Sequence, residues 1–520
     1  MGKTVLEREG DTNRVQMCKT IIDYLELEKM TGAEGNQLFL KDENGWLTRE
    51  EFLEKVMQTA GWLYNEGCFN EPVGVAAAHT AETLWLYLGV LVSGNYYIPL
   101  QPDMKQERFE KIRAKTGMRV LLTGAESVPQ EWETGADICF VTWEKIAEIE
   151  TDSAMEKEFA DCRKKLPEHA PMYVIFTSGS TGEPKGIVKT HRSMISFLEA
   201  YIREFDFAES DRLASQTPFY FDASAKDIYL ALKLKCQLHI LDERMFVAPL
   251  RLAQYLKEEQ ITAIQWVPSA LCMLSRFRVF DQVSLTQLRK VLFVGEVMPV
   301  NQLKIWMEAL PDTEFVNLYG ASELAGICMS YPVRSLPETE ECLPIGYPLP
   351  GCEVFLVRDG RVVKDPGEIG EIYVRSDTIA SGYLDDPERS AEVFVEQPCA
   401  ELPRAFYYRS GDLARYDEQG ALVFVSRGDY QIKHMGHRIE LGEIESVLMK
   451  MPQIGSCCCL YEKQKIILFY EGTPERKEVS RYLKDSLASY MLPNKILQIE
   501  QMPRNANGKA DRSALKELLK

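Results

Sequence analysis

The sequence predicts an α/β protein: a large N-terminal domain of mixed sheets and helices spanning 1–428, with a β subdomain at about 350–428, and a small α+β C-terminal domain at 429–520. Three observations predict it. Short apolar, strand-like runs alternate with helix-length stretches as far as Tyr319. After Pro350 the texture changes to short strands and turns, and near residue 430 the charge balance changes sign.

The elements follow in chain order. Leu84 to Val92 is a nearly continuous apolar segment of helical length closed by Ser93-Gly94, and Tyr96 to Leu100 reads as a strand ending at Gln101-Pro102. Met172 to Phe176 is a second apolar run, and beyond His191 the residues Met194, Leu198, Tyr201 and Phe205 recur at helical spacing. The same alternation returns over Leu213 to Leu241 and from Ile261 to Tyr319, with Val291 to Val294 as a core strand. Val354 to Val357, Glu371 to Val374 and Leu422 to Val425 are the strands of the β subdomain, and the turn Ser426-Arg427-Gly428-Asp429 is the strongest boundary.

Composition narrows the function classes. The chain has 520 residues, 45% hydrophobic and 27% charged, with a net charge of −18, which disfavours nucleic-acid binding. Residues 430–520 hold 15 Lys and Arg against 11 Asp and Glu, whereas the rest of the chain holds 45 against 67, so the tail is a basic module. No apolar stretch is long enough to span a bilayer, and the first ten residues carry Glu7 and Glu9 rather than a signal core, so cytoplasmic residence is the expectation. Thirteen cysteines without C-x-x-C spacing and six histidines argue for reduced thiols and against a zinc-centred mechanism.

The most informative run is 176–191, Phe-Thr-Ser-Gly-Ser-Thr-Gly-Glu-Pro-Lys-Gly-Ile-Val-Lys-Thr-His. Gly179, Gly182 and Gly186 let the backbone turn tightly and expose N–H groups, Thr177, Ser178, Ser180 and Thr181 add hydroxyls, and Lys185 adds a point charge. Those are the groups that hold phosphate. A Walker A loop is excluded because Pro184 stands where that motif places glycine before its lysine.

Four more segments stand behind this one: Tyr220-Phe221-Asp222-Ala223-Ser224, Asn317-Leu318-Tyr319-Gly320-Ala321-Ser322-Glu323, Tyr408-Arg409-Ser410-Gly411-Asp412 and Asn507-Gly508-Lys509-Ala510-Asp511-Arg512. Together with the first, and in this order, they resemble the acyl-adenylate-forming superfamily, within it the amino-acid adenylation domains of non-ribosomal peptide synthetases and the stand-alone D-alanine ligases that load carrier proteins. The resemblance spans nearly the whole chain. It implies that a carboxylate attacks the α-phosphate of ATP, pyrophosphate leaves, and the acyl-adenylate passes to a pantetheine thiol.

The resemblance also assigns roles. Lys509 and Lys433 are the catalytic candidates for the first and second steps, with Asp429 the hinge about which a mobile C-terminal domain turns. Thr177, Ser178, Gly179, Ser180, Thr181 and Lys185 would hold phosphate, Asn317, Tyr319 and Gly320 adenine, Ser322 phosphate, and Asp412 with Phe424 and Arg427 the ribose. Glu323 would hold Mg2+, a hard cation suited to carboxylate and phosphate oxygens. Ala321-Ser322 departs from the common Pro-Thr pair but keeps the hydroxyl. Left to the residues alone, Tyr319 also reads as a core tyrosine and Asp412 as a turn residue.

Asp222 matches the aspartate that pairs with a substrate's α-ammonium group, which favours an amino acid, though it also suits the cap of the following helix. Carried over by motif, Lys226, Gln265, Val294, Leu318 and Gly326 line the acid pocket. Lys226 there favours a glutamate or aspartate substrate, with outward snorkelling or a pairing near Asp227 as the alternative. ATP and Mg2+ are the implied cofactors. The thiol is expected on a separate acidic carrier protein, with coenzyme A second, because no phosphopantetheine serine motif is evident before Lys520. D-alanine–carrier protein ligase, acyl-CoA ligase and a non-catalytic ATP-binding homologue are the alternatives.

Overall fold

The structure is a computed structural model and describes residues 18–124, 128–133, 138–167, 169–177, 183–336, 343–427, 431–504 and 510–519. The chain divides into two compact units. One comprises Met1–Asp103, Arg113–Ile175 and Gly186–Ser426; the other comprises Met104–Ile112, Phe176–Lys185 and Arg427–Lys520. The two short upstream segments of the second unit join it through ion pairs, Arg108 to Glu443 at 3.5 Å and Lys185 to Glu440 at 3.3 Å. Sequence spacing carries no sign of such pairs.

The first unit is built on three sheets. The largest runs Tyr347–Pro348, Ile327–Pro332, Glu314–Gly320, Lys290–Val294, Ala263–Trp266, Arg212–Ser215, Gln237–Ile240, Leu38–Asp42, Gly45–Thr48. From Glu314–Gly320 to Leu38–Asp42 the strands are parallel, and antiparallel strands close both ends. Parallel strands buried on both faces read as continuous apolar runs, which is the texture of Val291 to Val294. The period of two still sorts their side chains: Val291 and Phe293 enter one core with Trp266 and Trp306, whereas Leu292 and Val294 enter the larger core with Tyr201 and Leu230.

A second sheet is ordered Cys139–Thr142, Val120–Thr123, Pro72–Ala76, Tyr96–Leu100, Pro171–Thr177, Lys185–Thr190. Its last strand feeds the helix His191–Phe205, which starts because Thr190 and Ser193 cap each other's backbone N–H groups in a capping box. Met194, Leu198, Tyr201 and Phe205 are all buried on that helix, as their spacing predicts. The third sheet holds the expected β strands as Cys352–Arg358, Ile369–Ser376 and Leu422–Arg427, and adds the strand Phe406–Tyr416, which places Asp412 within a strand and not in the turn its sequence suggested.

In the second unit a hairpin pairs Gln431–His434 with His437–Glu440. Its two-residue turn needs positive φ twice, met by Met435 at 51° and Gly436 at 80°. Ile454–Glu462 pairs antiparallel with Lys465–Gly472, which pairs parallel with Lys495–Gln498, and the helices Leu441–Leu448 and Arg476–Ser486 help close the core through Ile444 and Leu483. The described cysteines are all free thiols. Among the described residues no helix is long and apolar enough to cross a membrane.

Candidate active site

The strand Pro171–Thr177 runs into the hydroxyl- and glycine-rich run, and Lys185–Thr190 leaves it. Ser178, Gly179, Ser180 and Thr181 lie outside the described residues. Thr177 is described, and its buried Oγ1 has no hydrogen-bond partner among the described residues, a state that favours a ligand oxygen there. Lys185 is buried and its Nζ lies 3.3 Å from Glu440 Oε1, an oxygen that also accepts from Gln431 Nε2. The lysine expected to meet phosphate therefore has a carboxylate partner within its unit.

The strand Glu314–Gly320 carries Asn317, whose Nδ2 donates to the Pro344 carbonyl at 2.8 Å, and Tyr319, whose hydroxyl donates to Asp412 Oδ2. Burial and the Asp412 charge push the Tyr319 hydroxyl well above its ordinary range, so it stays a donor. Asp412, on Phe406–Tyr416, is itself buried, and its backbone N–H donates to Ser410 Oγ at 3.0 Å. Gly320 turns the chain next to the Gly326 carbonyl, where a Cβ would come within 2.4 Å, so no larger residue fits. Ser322 follows in the turn, half-buried.

Glu323 is fully buried, and its carboxylate accepts the Tyr383 hydroxyl at 2.7 Å and the Tyr408 hydroxyl at 3.3 Å. A single carboxylate suits magnesium, which takes most of its oxygens from phosphate and water. No group of three or more His, Cys, Asp and Glu able to hold a metal on protein ligands alone occurs among the described residues. Phe424, on Leu422–Arg427, packs half-buried against the large core, and Arg427 ends that strand as the first residue of the second unit's C-terminal segment.

At the expected substrate aspartate the structure adds a residue that sequence reading passed over. Asp222 opens a short 3₁₀ turn before the helix Ala225–Leu234, and Lys189 Nζ stands 3.0 Å from its carboxylate. Lys189 is fully buried and also donates to the Leu324 carbonyl, while Tyr173 donates its hydroxyl to Asp222 at 2.9 Å. Burial raises the Asp222 carboxyl above the usual range, and Lys189 and Tyr173 oppose that rise. Asp222 also borders a narrow cavity walled by Tyr87, Tyr97, Tyr173, Phe219 and Phe221. Three of those rings stack, Tyr87 on Tyr97 at 4.0 Å and Tyr97 on Tyr173 at 5.1 Å. The side chain of Asp222 does not cap the helix.

Lys226 departs from its expected part as the free cation of the pocket. It is buried, its Nζ donates to the Ala223 carbonyl at 2.9 Å, and Asp227 Oδ2 lies 3.3 Å away. Gln265 points the same way: its Nε2 donates to Asp227 Oδ1 at 2.6 Å and its Oε1 accepts the Tyr201 hydroxyl. Lys226, Asp227, Gln265 and Tyr201 form one buried polar chain whose charges cancel, so Lys226 has no charge left over for an acidic side chain. Burial pushes the Asp227 carboxyl up to about 6 against the pull of Lys226. Val294 and Leu318 pack side by side in register in the large core, and Gly326 faces Phe197, whose ring a Cβ would meet at 2.6 Å.

In the second unit, Lys433 lies on the strand Gln431–His434, opposite Arg438, and its carbonyl accepts the Tyr461 hydroxyl at 3.2 Å. Lys509 and Asp429 lie outside the described residues. Lys189 and Tyr173 are the partners of Asp222 that the sequence reading missed, whereas a pairing near Asp227 was its alternative for Lys226. Lys189 had a signal, a lysine directly after the apolar pair Ile187-Val188, but its partner is 33 positions away.

A family model described as AMP-binding enzyme matches residues 27–384, and one described as AMP-binding enzyme C-terminal domain matches 443–509. Tyrocidine synthase 3 of Brevibacillus parabrevis is 31% identical over 483 residues, which is 90% of this chain but 7% of that protein, so the chain spans a small part of this curated relative. Two solved structures share the fold. The Vibrio cholerae adenylation domain AlmE, in complex with glycyl-adenosine-5'-phosphate, superposes with a TM-score of 0.80 at 20% identity, covering 96% of each chain. Holo-PA1221, an NRPS protein containing adenylation and PCP domains, gives 0.80 at 24% identity, covering 96% of this chain and 84% of that one.

Proposed function

This chain belongs to the AMP-binding enzymes, adenylate-forming ligases, and from that premise we propose that it activates a small carboxylic acid as its acyl-adenylate, releasing pyrophosphate, and passes the acyl group to the phosphopantetheine thiol of a carrier protein. The observation that carries the reading is the pair of buried carboxylates, Asp412 and Glu323, each oriented by tyrosine hydroxyls. A buried carboxylate costs several kcal/mol unless it is engaged; a nucleotide's ribose hydroxyls would engage Asp412, and the magnesium that travels with its phosphates would engage Glu323.

ATP enters with its ribose hydroxyls on Asp412 and its adenine against the strand carrying Asn317 and Tyr319, where the Tyr319 hydroxyl fixes the carboxylate in place. Thr177 Oγ1 donates to a phosphate oxygen. Glu323 would hold the magnesium ion, which would supply positive charge against the phosphates as the two anions meet. Lys509 bridges the attacking carboxylate and the α-phosphate, and Lys433 serves the thiol step once the C-terminal unit has turned about Asp429.

The acid is drawn from the amino acids or their close analogues, the class to which the related peptide synthases and the glycyl-adenylate of AlmE point. An acidic side chain is the weaker reading, because Asp227 already neutralises Lys226. A carrier thiol is favoured by the PCP domain that accompanies adenylation in PA1221. The test is the Lys509→Ala variant. Acid-dependent ATP–pyrophosphate exchange should fall by at least about a thousandfold, while transfer from added acyl-adenylate to a carrier thiol persists; full exchange in that variant refutes the mechanism.

A further inference from the structure

Lys189 is fully buried in the strand Lys185–Thr190, one residue before the helix cap Thr190. Its ammonium group sits 3.0 Å from Asp222 and donates to the Leu324 carbonyl, which belongs to the residue next to Glu323. It therefore ties the substrate aspartate to the segment that carries the carboxylate assigned to magnesium. The Tyr173 ring lies 5.9 Å below the same ammonium, and its hydroxyl takes a further place on Asp222.

A carboxylate withdrawn from water requires a cation. Here the chain supplies one. A second ammonium brought to Asp222 would lie a few ångströms from the first in a site screened from solvent, and Glu323, the other carboxylate whose charge reaches Asp222, is engaged by Tyr383 and Tyr408 and assigned to magnesium. A hydroxyl in that position can accept from Lys189 and donate to Asp222, and a hydrogen leaves the existing pair intact. The cavity bordered by Asp222 has aromatic walls and contributes no other carboxylate to receive an amine.

We propose that Lys189 takes the place of a substrate's α-ammonium group, so that the site selects carboxylic acids with hydrogen or hydroxyl at the α-carbon over the α-amino acids of the same side chain. The inference names the substrate class of the proposed adenylation and rests on that reading.

The test is acid-dependent ATP–pyrophosphate exchange by the full chain with matched sets: alanine, lactate and propionate; valine, 2-hydroxyisovalerate and isovalerate; phenylalanine, phenyllactate and 3-phenylpropionate; glutamate, 2-hydroxyglutarate and glutarate, in both enantiomers where they exist. In whichever set is active, the hydroxy or des-amino member should exceed the amino acid by about a hundredfold in kcat/KM. In Lys189→Met the amino acid should gain at least about tenfold relative to its partners. An amino acid leading in the wild type, or a ratio unchanged by Lys189→Met, overturns the inference.

Should Lys189→Met not fold, Asp222→Asn decides. Amino-acid exchange that is high in the wild type and collapses there would show Asp222 binding the substrate amine, against the proposal; hydroxy-acid exchange that survives it supports the proposal. Exchange absent with every acid would refute adenylation itself. The same sets would then be compared by ligand-induced shifts in Tm: stabilisation by amino acids alone overturns the Lys189 inference, and stabilisation by their hydroxy or des-amino partners supports it.

Discussion

Two lysine–aspartate pairs, their aspartates five positions apart around the start of the helix Ala225–Leu234, are built to different ends. Lys226 and Asp227 are neighbours in sequence, 3% and 2% exposed, and are closed over by Gln265 and the Ala223 carbonyl. Lys189 and Asp222 are brought together by the fold; the lysine is fully buried but the aspartate is 11% exposed and borders a cavity. The sealed pair has its hydrogen-bonding capacity spent within the protein, so it fixes the shape of the site. The bordered pair can exchange a partner, so it can read a ligand.

The sharpest way to break this contrast is to strand one member of the sealed pair. Lys226→Met keeps the volume but leaves Asp227 without its cation, and the unfolding free energy should fall by about 3–5 kcal/mol, read from denaturant midpoints. Adding Asp227→Asn in the same chain should restore most of that loss. A neutral Lys226→Met would mean that the pair is not sealed.

A pH titration comes next. Because burial raises the folded Asp227 carboxyl from its ordinary 3.8 to about 6, the folded chain holds a proton there that the unfolded chain has released. That contribution to stability is complete below about pH 4 and fades as pH rises through about 6, a change of up to about 3 kcal/mol. Wild type minus Asp227→Asn, compared between pH 4 and 7, should therefore show stability declining with pH, and a difference that is flat over this range would remove the shift.

Asp222→Asn should destabilise less than Lys226→Met, by about 1–3 kcal/mol, because the Leu324 carbonyl still accepts from Lys189 and the site borders a cavity. The smallest effect is expected from Tyr173→Phe, about 1 kcal/mol, since one hydroxyl donor to Asp222 is lost while the stacked rings remain. If Tyr173→Phe proved worse than Asp222→Asn, the hydroxyl rather than the lysine would be the main partner of the aspartate.

These pairs also show where reading a sequence succeeds. The strand Lys290–Val294 and the helix His191–Phe205 were legible because periodicity is a local property, carried by residues one turn or one pleat apart. Asn317, Tyr319, Glu323 and Asp412 were legible as a set only because the order of motifs resembles a family; their spacing alone admits a core tyrosine and a turn aspartate. That Tyr319 donates to Asp412, 93 positions away, and that Tyr383 and Tyr408 hold Glu323 belong to the fold.

By itself the sequence determined the alternation of strands and helices and the basic tail, since each follows from composition and short-range periodicity. Only the tertiary structure decided which charges remain available. Coulomb energy depends on distance in space and on burial, and neither is written in sequence separation. Lys226 met its counterion next door, Asp222 met Lys189 from a strand 33 positions upstream, and the proposed choice of acid rests on that pairing.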